Sequence, residues 1–271
     1  MTYIRANGTV LNVELKGKGR PVVLIPDIGE DLTSWAYQMS PLAMRHFVMA
    51  LDNRGSGWSD TPAPPYTVEL MAKDVVSAME LIGVDQAHLI GHGMGGIIAL
   101  AVAATHPGRA RSLTMVCTPG RPTDTQRKVY PAWLKAAAEG WKPRAISELM
   151  TPWIFSSRFL EDPRWKKHVI RGRANRYGWT SWDGARHQLD AMFCYEPTNA
   201  LSHISCPSMA VWGTDDRLVP PPSARELAEH LTGVRAVQLD GGHMLPMELL
   251  RSLIREEMEF MATVDGVKPP S

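Results

Sequence analysis

Three cysteines in 271 residues, Cys117, Cys194 and Cys206, form an odd set without metal-ligand spacing. They argue against a disulfide framework and for a reducing compartment. Charge of one sign is equally scarce. Lys and Arg number 29 against 28 Asp and Glu, a net charge of +1, so nothing recommends nucleic acid or an acidic membrane as a partner. The basic stretch Arg164 to Lys167 with Arg171 and Arg173 reads as a solvated helix face. No apolar run nears the roughly 20 residues of a membrane span, and the opening MTYIRANGTVLNVELKG lacks the basic-then-apolar order of a secretion signal. The expectation is a soluble, cytoplasmic protein.

What is present is apolar material, 44% of the chain, arranged in short runs. PVVLIP (21–26), HFVMALD (46–52), AHLIG (87–91), SLTMVC (112–117) and SMAVWG (208–213) are continuous and end at turn residues, as strands buried on both faces do. TVLNVELKG (9–17) and VRAVQLD (234–240) alternate more and read as outer strands. Between them lie helical patterns at 67–83, 95–107, 223–233 and 250–263. Strands alternating with helices predict an α/β fold with a doubly wound, mostly parallel sheet. From 121 to 201 the rhythm breaks. That segment is helical, broken by Pro and Gly, and carries six of the nine tryptophans. It reads as a helical cap (121–201) inserted between two parts of one core (1–120 and 202–271).

The segment AHLIG-HGMGG-IIALAVA is a strand, a tight glycine turn and a helix, the context in which a G-x-S-x-G nucleophile elbow works. The nucleophile position is Gly93, which cannot form an acyl-enzyme. Downstream, VWGTDDRLVPP (211–221) ends a late strand and DGGHMLPME (240–248) follows the last one. The chain order is therefore elbow, acid, histidine.

With PVVLIP, LDNRGSGWSD, LIGHGMGG, VWGTDDRLVPP and GGHMLPME in this order, the chain resembles the α/β-hydrolase superfamily, of the cap-bearing esterase, lactonase and C–C hydrolase type. The resemblance implies Asp216 as the acid, with Asp215 the competitor, and His243 as the base. It implies an oxyanion hole from the backbone N–H groups of Ile28 and Met94, which survive side-chain changes. Two departures stand out. Pro26-Asp27 replaces the usual His-Gly after the strand VVLIP, placing a carboxyl group near the hole, where it either bonds loop amides or touches substrate. The other departure is Gly93 itself.

Gly93 leaves three readings open. In the first, a serine has been replaced there in an esterase or lactonase. In the second, a natural enzyme uses His243–Asp216 as a general base without a covalent step, hydrolysing with water or running lyase, cyclase or cofactor-free oxygenase chemistry, as similar dioxygenases of this fold do. Or the chain is a pseudoenzyme that binds a small molecule. Trp35, Trp133, Trp153 and Trp182 with Met192 and Asp27 are the candidate pocket residues, suited to a small apolar or aromatic carbonyl substrate. His92 and His88 read as packing residues. No zinc motif, P-loop or dinucleotide glycine pattern occurs, so neither a metal nor a cofactor is expected.

Overall fold

The computed structural model describes residues 2–163, 181–197 and 201–268. Eight strands form one sheet: β1 (Thr2–Ala6), β2 (Thr9–Lys16), β3 (Arg20–Ile25), β4 (His46–Leu51), β5 (Ala87–His92), β6 (Ala110–Val116), β7 (Ser208–Gly213) and β8 (Arg235–Leu239). Their order is β1-β2-β4-β3-β5-β6-β7-β8. β1 and β2 are antiparallel to their neighbours, and the rest are parallel. β1 escapes a reading based on apolar runs because its side chains are largely exposed. Its signal is the Asn7-Gly8 turn, where both residues take positive φ (48° and 79°), as a tight hairpin requires.

The apolar runs are continuous because successive residues face two different cores. In β3, Val23 and Ile25 join one cluster while Val22 and Leu24 join the other. In β4, Met49 and Leu51 alternate with Val48 and Ala50 in the same way. Helices α2 (Val68–Leu81) and α3 (Met94–Thr105) supply the first cluster, and α1 (Ala36–Ala43) the second. α3, MGGIIALAVAAT, has no polar face because all but its last residue is buried.

Between β6 and β7 the described residues form helices only: α4 (Asp124–Ala138), α5 (Pro143–Ile154), α6 (Ser157–Glu161) and α7 (Trp182–Cys194). α4 opens with a capping box, in which Thr123 and Gln126 satisfy each other's backbone N–H, and this fixes where the helical segment departs from the sheet. α7 touches the turn after β4 so closely that a Cβ on Gly184 would lie 2.0 Å from the Gly55 oxygen. α8 (Pro221–Glu229), α9 (Leu245–Glu248) and α10 (Leu250–Asp265) complete the described chain. Among the described residues no helix is long and apolar enough to cross a membrane.

Candidate active site

The site forms where β5 turns into α3. Gly93 has φ 52° and ψ −118°, a conformation costly for residues with a side chain. Its N–H donates to the Val116 carbonyl at 2.9 Å, which ties the turn to β6. Gly95 is required by a close approach: a Cβ there would lie 2.1 Å from the Ile25 oxygen. The helix can therefore start directly over the end of β3.

Two loops from the far end of the sheet supply the acid and the histidine. After β7, Asp216 folds back so that its Oδ1 accepts the N–H groups of Leu218 (3.0 Å) and Val219 (2.8 Å). Its Oδ2 accepts from His243 Nδ1 at 2.8 Å. The competing Asp215 faces elsewhere, accepting from the Ser157 N–H at 2.7 Å. After β8, the loop holding His243 is pinned on both sides. Glu248 accepts from the N–H groups of Gly242 and Ser156, and the Met244 N–H donates to the Ile154 carbonyl at 2.9 Å. His92, buried beside the elbow, hydrogen-bonds through Nε2 to the His243 carbonyl at 2.8 Å, so this packing residue also orients the loop.

The other nitrogen of His243 meets the departure from the usual motif. Nε2 lies 3.1 Å from Asp27 Oδ2, and Asp27 Oδ1 accepts the Met94 N–H at 2.7 Å. Asp27 therefore bonds across the site, to the elbow and to the histidine. Of the two amides expected to form an oxyanion hole, the Met94 N–H is here engaged by Asp27. The Ile28 N–H donates to no group among the described residues.

Burial draws the His243 pKa down, but the charges and hydrogen bonds of Asp216 and Asp27 outweigh it and raise the value to about 10. Both ring nitrogens face carboxylate oxygens, so both donate and the ring is an imidazolium. Burial pushes Asp27 up, yet the His243 hydrogen bond and charge hold it below its ordinary value. His92 goes the other way, lowered by burial and then by the His243 charge. Ligand atoms of His92, Cys117 and His243 come within 4.8 Å of one another. That set does not suit a metal: both His243 nitrogens are engaged by carboxylates, and burial pushes the Cys117 thiol well up.

A narrow apolar cleft begins at the residues that follow Asp27. Ile28 and Gly29 form one wall, and Tyr130, Trp133, Met150 and Trp182 are among the residues opposite. Tyr130 is near enough to feel the Asp27 charge, which adds to burial in raising its pKa well above the ordinary value. Trp133 and Trp182 thus line the cleft, as the sequence suggested. The other four candidates lie elsewhere, Asp27 at the elbow. Trp35 is only 1% exposed, packed edge-on against His92 in the second core cluster. Met192 is fully buried in the first cluster. Trp153 stands 37% exposed on α5. Short-range patterns cannot tell a core-facing aromatic from a pocket-facing one. Trp165, Trp179 and the basic stretch from Arg164 lie outside the described residues.

Gln188 and Glu248 carry no sequence signal. Fully buried on α7, Gln188 accepts from the Gly29 N–H at 3.0 Å and donates to the Arg54 carbonyl at 2.7 Å and Ser56 Oγ at 2.9 Å. It joins the helical segment to the wall that carries Ile28. In LDNRGSGWSD, Asp52 is a brace, accepting from the Leu32 and Trp58 N–H groups and Asn12 Nδ2.

Residues 20–147 match the family model described as alpha/beta hydrolase fold, and residues 154–252 match one described as serine hydrolase (FSH1). The second match includes Asp216 and His243 but not the elbow. A relative from a Caulobacter species, named for RutD-type carbamate hydrolysis, is 31% identical over 216 residues, 78% of each chain. The chain belongs to the α/β-hydrolase family. Another relative named in the same way, from Azorhizobium caulinodans, is 27% identical and spans 89% of this α/β-hydrolase and 91% of its own length. Among solved structures, the hydrolase is similar to an enol-lactonase from Burkholderia xenovorans, with 27% identity, TM-score 0.88 and coverage of 96% and 100%. It is also similar to a thermophilic esterase from Thermogutta terrifontis, with 25% identity, TM-score 0.86 and coverage of 97% and 98%. The chain is thus a hydrolase of the α/β type.

Proposed function

We propose that this enzyme hydrolyses small, largely apolar esters or lactones without a covalent intermediate at the elbow. The observation that carries this reading is the Asp216–His243 pair, buried beside an elbow that offers no nucleophile, with an apolar cleft walled by Ile28, the neighbour of Asp27. The helices between 121 and 201 act as its cap, with Trp133 and Trp182 against the apolar part of the substrate. The Ile28 N–H is the donor left for the substrate's carbonyl oxygen. A water attacks the carbonyl carbon, the His243 imidazolium gives its Nε2 proton to the leaving oxygen, and the proton shed by the attacking water restores the imidazolium. The enol-lactonase and esterase neighbours support a carbon–oxygen bond as the target. The RutD-type relatives add carbamates to the classes worth testing. Proton abstraction by His243, as in a lyase or oxygenase, would need a neutral ring, and two carboxylates hold it charged.

The test is turnover of short-chain p-nitrophenyl esters, five- and six-membered lactones, enol-lactones and aryl carbamates. We expect hydrolysis of the ester or lactone class, no labelling by a serine-directed fluorophosphonate, and a loss on the order of 10²–10⁴-fold in His243→Asn. Absence of hydrolysis across all classes would sink the reading, and stoichiometric labelling of a serine would sink its non-covalent part.

A further inference from the structure

A Cβ placed on Gly93 would lie 2.1 Å from Asp27 Oδ1, 2.3 Å from its Cγ and 2.6 Å from its Oδ2. The Asp27 carboxylate therefore fills the space into which a nucleophile's side chain on residue 93 would project. It makes the contact with His243 Nε2 that such a nucleophile would make, at 3.1 Å, and it takes up the Met94 N–H. The sheet explains the coincidence. β3 and β5 are parallel neighbours with Ile25 opposite Gly91, so two residues further along each strand Asp27 stands level with Gly93. Gly93 has no side chain, and Asp27 uses the room.

We propose that Asp27 has taken over the elbow's role, as the catalytic base that draws a proton from the attacking water while His243 serves as the acid. This rests on the hydrolytic reading above. The water's oxygen bonds to the carbonyl carbon as its proton passes to Asp27 Oδ2. The carbonyl π pair moves onto the carbonyl oxygen. As that pair returns, the carbon–oxygen bond to the leaving group breaks, and the His243 Nε2 proton goes to the departing oxygen. The proton on Asp27 then crosses directly to His243 Nε2, which restores both groups, and the net reaction consumes one water. The ionic states support this division of labour, since Asp27 is held as a carboxylate and His243 as an imidazolium. The two departures from the family pattern, Pro26-Asp27 and Gly93, become a single change.

Asp27→Asn keeps the shape and removes the base. The expected result is a fall in kcat on the order of 10²–10⁴-fold with KM changed only a few-fold. Gly93→Ser alone should lower activity, because its Cβ displaces Asp27. The double variant Asp27→Gly with Gly93→Ser should become reactive toward a fluorophosphonate that does not label the parent. A single turnover in H₂¹⁸O distinguishes roles: the label should enter the acid product and leave the Asp27 peptide unshifted. Wild-type hydrolysis retained in Asp27→Asn overturns the assignment while leaving the hydrolase reading intact. Heavy oxygen in the Asp27 peptide overturns water activation in favour of direct carboxylate attack. A wild-type enzyme that hydrolyses none of the substrates overturns both readings.

Discussion

At the scale of single residues, His243 decides how the enzyme responds to pH. Its pKa is raised from an ordinary 6.5 to about 10 in the folded protein. A raised pKa means the folded state binds the proton more tightly, so this group's stabilisation is complete below about pH 6.5 and is lost as pH rises toward 10. The urea midpoint of the wild type should fall across that window more steeply than that of His243→Asn. Asp27 contributes with the opposite sign. Its pKa is lowered, so its stabilisation is present above the ordinary carboxylate value and lost as pH falls below it. In the acid–base scheme proposed above, kcat/KM should stay level from pH 6 to 8 and decline as the imidazolium titrates toward 10. A rising limb near 6.5 would instead mark a neutral-histidine base. Gly93→Ala tests the space itself. The positive φ alone costs on the order of 1–3 kcal/mol, and displacement of Asp27 adds to it, which urea denaturation would register.

At the scale of elements, the site depends on how α7 is fastened to the turns beneath it. Gln188→Ala removes three hydrogen bonds at once, to the part-buried Gly29 N–H, the Arg54 carbonyl and Ser56 Oγ. Each such loss costs roughly 1–3 kcal/mol. Because Gly29 adjoins Ile28, kcat/KM should also fall, on the order of 10- to 10²-fold, if small misplacements have their usual effect. The same wall is braced from the other side by Arg54, whose Nε and Nη2 grip both oxygens of the buried Asp74. Removing one partner of a buried pair strands the other charge, so Asp74→Ala should destabilise by about 3–5 kcal/mol, read from equilibrium unfolding. Neither clamp could be located beforehand. A glutamine on a half-polar helix and an Arg-Gly turn have many exposed counterparts, and only burial marks these two.

At the scale of the whole molecule, strands β3 to β7 are legible because burial on both faces of the sheet forces continuous apolar runs, while β2 and β8 show as alternating outer strands. β1 is less legible, since an edge strand with exposed side chains is read only from its Asn7-Gly8 turn. The cleft between the sheet and the helices after β6 is a property of the assembly. Trp133, only 3% exposed, serves both the core and the cleft wall. Trp133→Ala should cost about 3–5 kcal/mol in stability and shift the preferred ester chain length upward, measurable by comparing kcat/KM along an acyl series.

The order of elbow, acid and histidine, and the layered sheet beneath them, were set by local patterns: apolar runs, glycine turns and short motifs at strand ends. Those signals are local because strand and turn formation depend on near neighbours. The meeting of Asp27 with Gly93, 66 positions apart, was decided only when β3 and β5 became adjacent in register. Two residues that a sequence reading treats as separate departures then share one small volume, and steric exclusion makes the missing side chain at 93 a condition for the placement of Asp27.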